Sequence, residues 1–180
     1  MEWPAMGKDN TLDDLTGGQH RRTDERKSSV RRWLMLAAFI VLAWGGGTLI
    51  GVATPPGQWY ADLQKPFFNP PAWVFGPVWT VLYVLVAIAG WRTWMRNYRG
   101  LTMQVWFAQL AVNFLWSPAF FGMQRPGYAL LVIAVMIVLT ILFMRLSVRD
   151  DDRASAWLMA PYLAWISFAA LLNAATWWLN

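Results

Sequence analysis

Five uncharged apolar runs, parted by short charged gaps, account for most of this 180-residue chain. Each is long enough to cross a hydrocarbon layer, for which a helix needs about 20 residues. They predict helices over residues 33–53, 77–95, 101–123, 128–146 and 154–179. The fold class expected is therefore an all-α membrane protein, a five-transmembrane-helix bundle whose Pro/Trp-rich first loop serves as a lid. An odd number of crossings puts the termini on opposite sides. Residues 1–32 are polar, of mixed charge and without apolar period, and are expected to form a disordered basic cytoplasmic tail ahead of a transmembrane domain over 33–180. The first apolar run is too long for a signal-peptide core and no cleavage site follows, so it is expected to stay as an anchor. Gly47 and Gly51 in it form a GxxxG, the spacing that lets helices approach closely.

The lid is the most unusual stretch. Residues 59–83, WYADLQKPFFNPPAWVFGPVWTVLY, hold four prolines, eight aromatics, one acid and one base. Proline fixes φ and removes a donor, so Pro66, Pro70, Pro71 and Pro77 predict stiff turns and no long helix before about Val78. Trp and Tyr favour places with one oily and one wet side, such as a bilayer interface or a pocket mouth. Lys65 is expected either to pair with Asp62 within the loop or to meet an acidic group on a ligand.

Three helices carry informative faces. The second crossing presents Trp79, Tyr83, Val86 and Gly90 together, and the third aligns Gln109, Asn113 and Ser117 at i, i+4, i+8 beside Trp116 and Phe120. Burying an amide without a partner costs about 2–7 kcal/mol, so that stripe must look into the bundle, bonding another helix or lining a cavity. Ser117-Pro118 predicts a kink. The fifth crossing puts Tyr162, Trp165, Ala169 and Asn173 on one face, whereas the fourth is nearly pure Val, Ile, Leu and Met and suits lipid or a second protomer. Trp33, Trp91, Trp94, Trp177 and Trp178 lie near helix ends and read as interfacial anchors.

Composition and charge narrow the function. The chain is 57% hydrophobic, 14% charged and free of cysteine, so disulfides, thiolate metal sites and thiol nucleophiles are excluded. Its single histidine, His20, lies in the tail. No Asp, Glu, Lys, Arg or His occupies the middle of a crossing, which argues against proton-coupled pumping, serine-histidine catalysis and a protein-ligated metal. The net charge of +5 is spread over loops rather than gathered on a reading face, so no nucleic acid is expected. Lys and Arg instead divide thirteen to two between the two sides, which places the N-terminus in the cytoplasm and the lid and C-terminus outside, in an inner membrane. What remains is a pocket of aromatic planes and a few neutral hydrogen-bonding groups, suited to a large, flat, apolar molecule such as a porphyrin or a sterol.

The strings WYADLQKPFFNPPAWVFGPVWTVLY, AQLAVNFLWSPAFFGM and PYLAWISFAALLN together resemble the translocator protein family, also called tryptophan-rich sensory proteins or peripheral-type benzodiazepine receptors (TspO/MBR). The resemblance covers roughly residues 35–180. It implies a usually dimeric five-helix bundle that needs no cofactor and binds tetrapyrroles such as protoporphyrin IX, sterols in some members, and synthetic isoquinoline or benzodiazepine ligands. Matched position by position, it implies a pocket of Tyr60, Pro70, Trp79, Tyr83, Asn113, Ser117, Phe120, Trp165 and Ala169. Some bacterial relatives degrade protoporphyrin in light, and if this chain were such an enzyme Trp79 and Trp165 would be the participating residues. Animal members carry a cholesterol motif near the end of the last helix; here Ala174 stands where its tyrosine would be and no base follows. The reading is a tetrapyrrole-binding sensor or regulator of porphyrin metabolism or stress, with a porphyrin or sterol transporter and a light-dependent porphyrin-degrading enzyme as alternatives.

Overall fold

The computed structural model describes residues 29–180, and these contain helices and no strand. Apart from its last four residues, the polar tail, including His20, lies outside the described residues. Helix α1 runs Ser29–Ala53 with a π-helical turn at Val41–Gly45. It starts four residues earlier than the apolar run does, because Arg31 and Arg32 are good helix formers and extend the same helix into a polar setting. A connection to residue 71 contains one short helix, α2 (Gln58–Asp62). The long helices α3 (Ala72–Asn97), α4 (Leu101–Ser117), α5 (Pro126–Arg149) and α6 (Arg153–Leu179) follow.

Helices α1, α3, α5 and α6 are long and apolar enough to cross a membrane. Helix α4 has 17 residues and rises about 26 Å, and the π-helical turn Pro118–Gly122 continues it without a break. Pro118 therefore widens the helix into a π turn, the physical form of the expected kink.

One boundary differs in substance. Helix α3 begins at Ala72, five residues ahead of the expected start, and takes Pro77 into its interior. The carbonyl that loses its partner to Pro77 belongs to Trp73, in the first turn, where the side chain is 75% exposed. The loss falls on an open helix end rather than in the core, and Pro71 serves as the N-cap in extended geometry.

Helix α6 lies along α5, α5 along α4, and α3 along α6, while the second half of α1 touches α3 and α4 and closes the ring. Among apolar side chains with no hydrophobic drive from lipid, packing and interhelical hydrogen bonds hold such a ring together. Helices α3 and α4 approach closely at one point. A Cβ built on Gly90 would sit 2.2 Å from Trp106 Cε2, so glycine is required there. Trp106 is fully buried, is flanked by Phe39 and Phe107, and donates from Nε1 to the Val86 carbonyl at 3.0 Å. Val86 and Gly90 are thus packing positions. In the GxxxG of α1 the two glycines differ: a Cβ on Gly47 would meet the Tyr83 ring at 2.3 Å, whereas one on Gly51 meets nothing within 4 Å.

Candidate functional site

A cavity of about 670 Å³ opens under the connection between α1 and α3. Helix α3 supplies Phe75, Trp79 and Tyr83 from successive turns. Helix α4 and its π turn supply Asn113, Trp116, Ser117 and Phe120, α6 supplies Trp165, Ala169 and Asn173, and the connection supplies Tyr60, Lys65 and Pro70. All nine residues singled out in the sequence, Tyr60, Pro70, Trp79, Tyr83, Asn113, Ser117, Phe120, Trp165 and Ala169, line this one space. Among the described residues Lys65 is the only charged one that lines it.

The walls are aromatic planes. Trp79 stacks on Tyr83 with centroids 5.2 Å apart and an interplanar angle of 29°, and Trp116 stacks on Phe120 at 5.4 Å and 24°. Phe75 meets Trp165 edge-on at 5.9 Å, and Tyr60 meets Phe120 in the same way at 6.0 Å. Each ring is braced by another, which fixes the cavity's outline before anything enters it.

Most polar groups at the cavity are already spoken for. The Tyr83 hydroxyl donates to Asn113 Oδ1 at 2.8 Å, and Asn113 Nδ2 donates to the Tyr162 oxygen at 3.0 Å. Ser117 Oγ and Thr54 Oγ1 bond each other at 2.7 Å, linking α4 to the end of α1. Asn173 Oδ1 accepts from Trp116 Nε1 at 3.2 Å while its Nδ2 donates to the Pro126 carbonyl at 2.7 Å, so one amide joins α6, α4 and α5. The polar stripe of α4 thus bonds other helices and lines a cavity at once for Asn113 and Ser117. Gln109 does neither: it is fully buried and both ends of its amide lack a protein partner. At the cavity Trp165 Nε1 is a buried donor with no acceptor.

Lys65 departs from one expectation. Its Nζ donates to the carbonyls of Ala61 and Leu63 at 3.1 and 3.2 Å and sits 4.7 Å from the Tyr60 ring centroid. Asp62 instead accepts from Gln58 one turn earlier in α2, at 2.8 Å, so no Lys65–Asp62 pair forms. The cation therefore rests on Tyr60 with one N–H to spare. Partial burial raises the Tyr60 phenol above its ordinary value.

Sequence reading missed Phe75, Thr54 and Asn69 as liners. Phe75 was hidden by the assumption that Pro77 bars a helix; once α3 starts at Ala72, Phe75, Trp79 and Tyr83 fall at i, i+4, i+8. Asn173 stood on the right face of α6, and its spacing from Ala169 was the available signal. Thr54 gave none. Among the described residues no cluster of three or more His, Cys, Asp or Glu side chains exists.

The chain is 38% identical over 152 residues to the tryptophan-rich protein TspO of Archaeoglobus fulgidus, covering 82% of this chain and 96% of that one. It is 38% identical over 141 residues to the tryptophan-rich sensory protein of Cereibacter sphaeroides, covering 78% and 88%. It is 34% identical over 158 residues to the human translocator protein, covering 81% and 89%. Residues 37–179 match the TspO/MBR family model, and with four helices fit to cross a bilayer the chain is an integral membrane protein that belongs to the TspO/MBR family.

Proposed function

We propose that this protein is a tetrapyrrole-binding sensor or regulator of porphyrin metabolism or of a stress response, with protoporphyrin IX or a related flat tetrapyrrole as its ligand. The observation that carries the reading is the cavity: about 670 Å³, walled by two stacked aromatic pairs, with a single cation and an unspent indole N–H. That volume falls in the range of small-molecule sites, and aromatic planes favour a flat guest. Lys65 keeps a donor for a propionate at the mouth.

The same reading makes α4 with its π turn the fifth crossing, residues 54–71 the lid, and the basic side cytoplasmic in an inner membrane. A homodimer is part of it: Leu131, Val135, Val138 and Leu142 of α5 are exposed on an apolar helix, for which lipid or a second copy is the partner.

A second reading is supported by Trp165 and Trp79, which both line the cavity. An indole beside a photoexcited porphyrin is an electron donor, and with dioxygen as oxidant this supplies light-driven porphyrin degradation. Titration of the detergent-purified protein with protoporphyrin IX, following tryptophan quenching in the dark and porphyrin absorbance under illumination, separates the readings. Saturable dark quenching that weakens in Trp165→Phe supports the binding site; light-driven porphyrin loss abolished in Trp79→Phe and Trp165→Phe makes the protein an enzyme. Absence of saturable quenching withdraws the tetrapyrrole. Porphyrin or sterol movement between vesicle leaflets would instead favour a transporter.

A further inference from the structure

A second cavity, of about 310 Å³, lies among the end of α3, the start of α4 and the α5–α6 turn, and shares no lining residue with the first. Its chemistry is the reverse of the aromatic one: Thr93, Arg96, Asn97, Thr102, Ser147, Arg149, Asp150 and Asp152 all contribute.

The acceptors there are already used. Asp152 takes Arg92 Nη2 at 2.8 Å and the Ser155 amide at 3.3 Å on Oδ1, and Ser155 Oγ at 2.6 Å and Arg96 Nε at 3.4 Å on Oδ2. Asp150 takes Arg149 Nε at 3.1 Å and Thr102 Oγ1 at 2.5 Å. Both carboxylates are held as anions: for Asp150 the Thr102 hydroxyl is the leading cause of a lowered pKa, and for Asp152 the penalty of burial is outweighed by Ser155 and Arg92. Of the charged residues that line the cavity, Arg96 and Arg149 match Asp150 and Asp152 in number, while Arg92 pairs with Asp152 from outside the lining.

The donors are not used up. Gly100 gives α4 no side-chain cap, and Met103 and Gln104 both donate to the Gly100 carbonyl, which leaves the Leu101 and Thr102 amides as free donors of the first turn. Ser147 is 1% exposed, lines the cavity, and its Oγ has no partner. Its backbone is pinned by the Asp152 amide, which donates to the Ser147 carbonyl at 2.8 Å. A buried hydroxyl, an uncapped helix start and two arginines around one space lack a common acceptor.

We propose that this cavity is a binding site for a phosphoryl oxyanion, held by Ser147, Arg149, Arg96 and the first turn of α4. The site sits at the ends of membrane-spanning helices, where a lipid phosphate and a soluble phosphate both have access; the shared chemistry is a tetrahedral oxyanion with acceptor oxygens on several sides.

The test uses the full chain in neutral detergent, titrated calorimetrically with dihexanoyl phosphatidic acid, with sodium phosphate, with dihexanoylglycerol, and with sodium chloride at matched ionic strength. Saturable binding of either phosphate-bearing probe and of neither control is expected. Binding of the lipid alone assigns the site to a headgroup, and binding of inorganic phosphate alone assigns it to a soluble anion. Ser147→Ala, which removes a hydroxyl without a protein partner, should leave the ligand-free thermal midpoint unchanged or higher while weakening binding about tenfold; Arg149→Gln should weaken it at least as much. No saturable binding of either phosphate probe overturns the proposal, as does binding that Ser147→Ala and Arg149→Gln leave at the level of the unaltered protein.

Discussion

The side-chain amide of Asn180 pairs with both backbone groups of Gln64, Oδ1 accepting from the Gln64 N–H and Nδ2 donating to its carbonyl, each at 3.0 Å. The same Nδ2 also reaches the Thr176 carbonyl at 2.8 Å, so the pairing ties the loop between α2 and α3 to the last turn of α6. Asn180→Ala removes both bonds. At an exposed site each contributes about 0.5 kcal/mol, so exchange of the Gln64 amide should quicken about fivefold, read by hydrogen exchange and mass spectrometry. Unchanged exchange at Gln64 alongside an intact global midpoint would show that the tie is idle.

The Tyr83–Asn113–Tyr162 chain makes a second prediction. The buried Tyr162 hydroxyl and the half-buried Tyr83 hydroxyl both bond the Asn113 amide, so Tyr83→Phe or Tyr162→Phe should each lower stability by about 1 kcal/mol, in keeping with the modest strength of hydrogen bonds between membrane helices. Asn113→Leu should cost more than either, because it leaves two hydroxyls unpaired. Unfolding in mixed micelles measures all three, and additivity of Tyr83→Phe with Asn113→Leu would refute their coupling.

Glycine substitutions should separate packing from open space. Gly90→Ala drives a methyl into Trp106 and must displace the indole from the Val86 carbonyl, at a cost of about 1–3 kcal/mol. Gly51→Ala meets nothing and should be neutral or slightly stabilising in a helix. Thermal midpoints of the two variants that coincide would contradict this assignment.

Acid should loosen the helix ends beside the second cavity. The folded pKa of Asp152 is lowered, so its stabilising contribution is complete above the ordinary carboxylate value of about 3.9 and is lost as pH falls through the lower folded value. The thermal midpoint should therefore be flat from neutrality to about pH 4 and fall below it. Asp152→Asn should lower the midpoint at neutrality and blunt the acid fall; an equally steep fall in that variant would assign the effect elsewhere.

How much of this was legible beforehand depends on which residues carried period and which carried context. Apolar runs announced all the long helices, since hydrocarbon demands internally bonded backbone and a fixed length. Asn113, Ser117 and Trp165 were legible because a polar or aromatic group at helical spacing on an apolar helix has to face something. Pro77 misled, because proline's cost depends on whose carbonyl it orphans, and Trp73 sits at an open end. Trp106 was opaque: nothing in its neighbours told that a fully buried indole would lie against Gly90 across two helices. Short helix α2, the Thr54–Ser117 bond and the Asn180–Gln64 tie depend on how the loop folds back, which periodicity does not encode. The second cavity was invisible for the same reason, as its charges read only as loop charges that orient the chain.

The mutual pairing of Tyr83, Asn113 and Tyr162 has a consequence for selectivity. A site whose polar groups await a partner rejects any molecule that lacks the matching one, since rejection is driven by what would be left unpaired. Here the Tyr83 hydroxyl and both ends of the Asn113 amide already have partners within the protein, so they depend little on what an entering molecule offers. Discrimination at that wall falls to outline and planarity, and polar discrimination falls to Lys65 and the Trp165 indole N–H elsewhere in the lining.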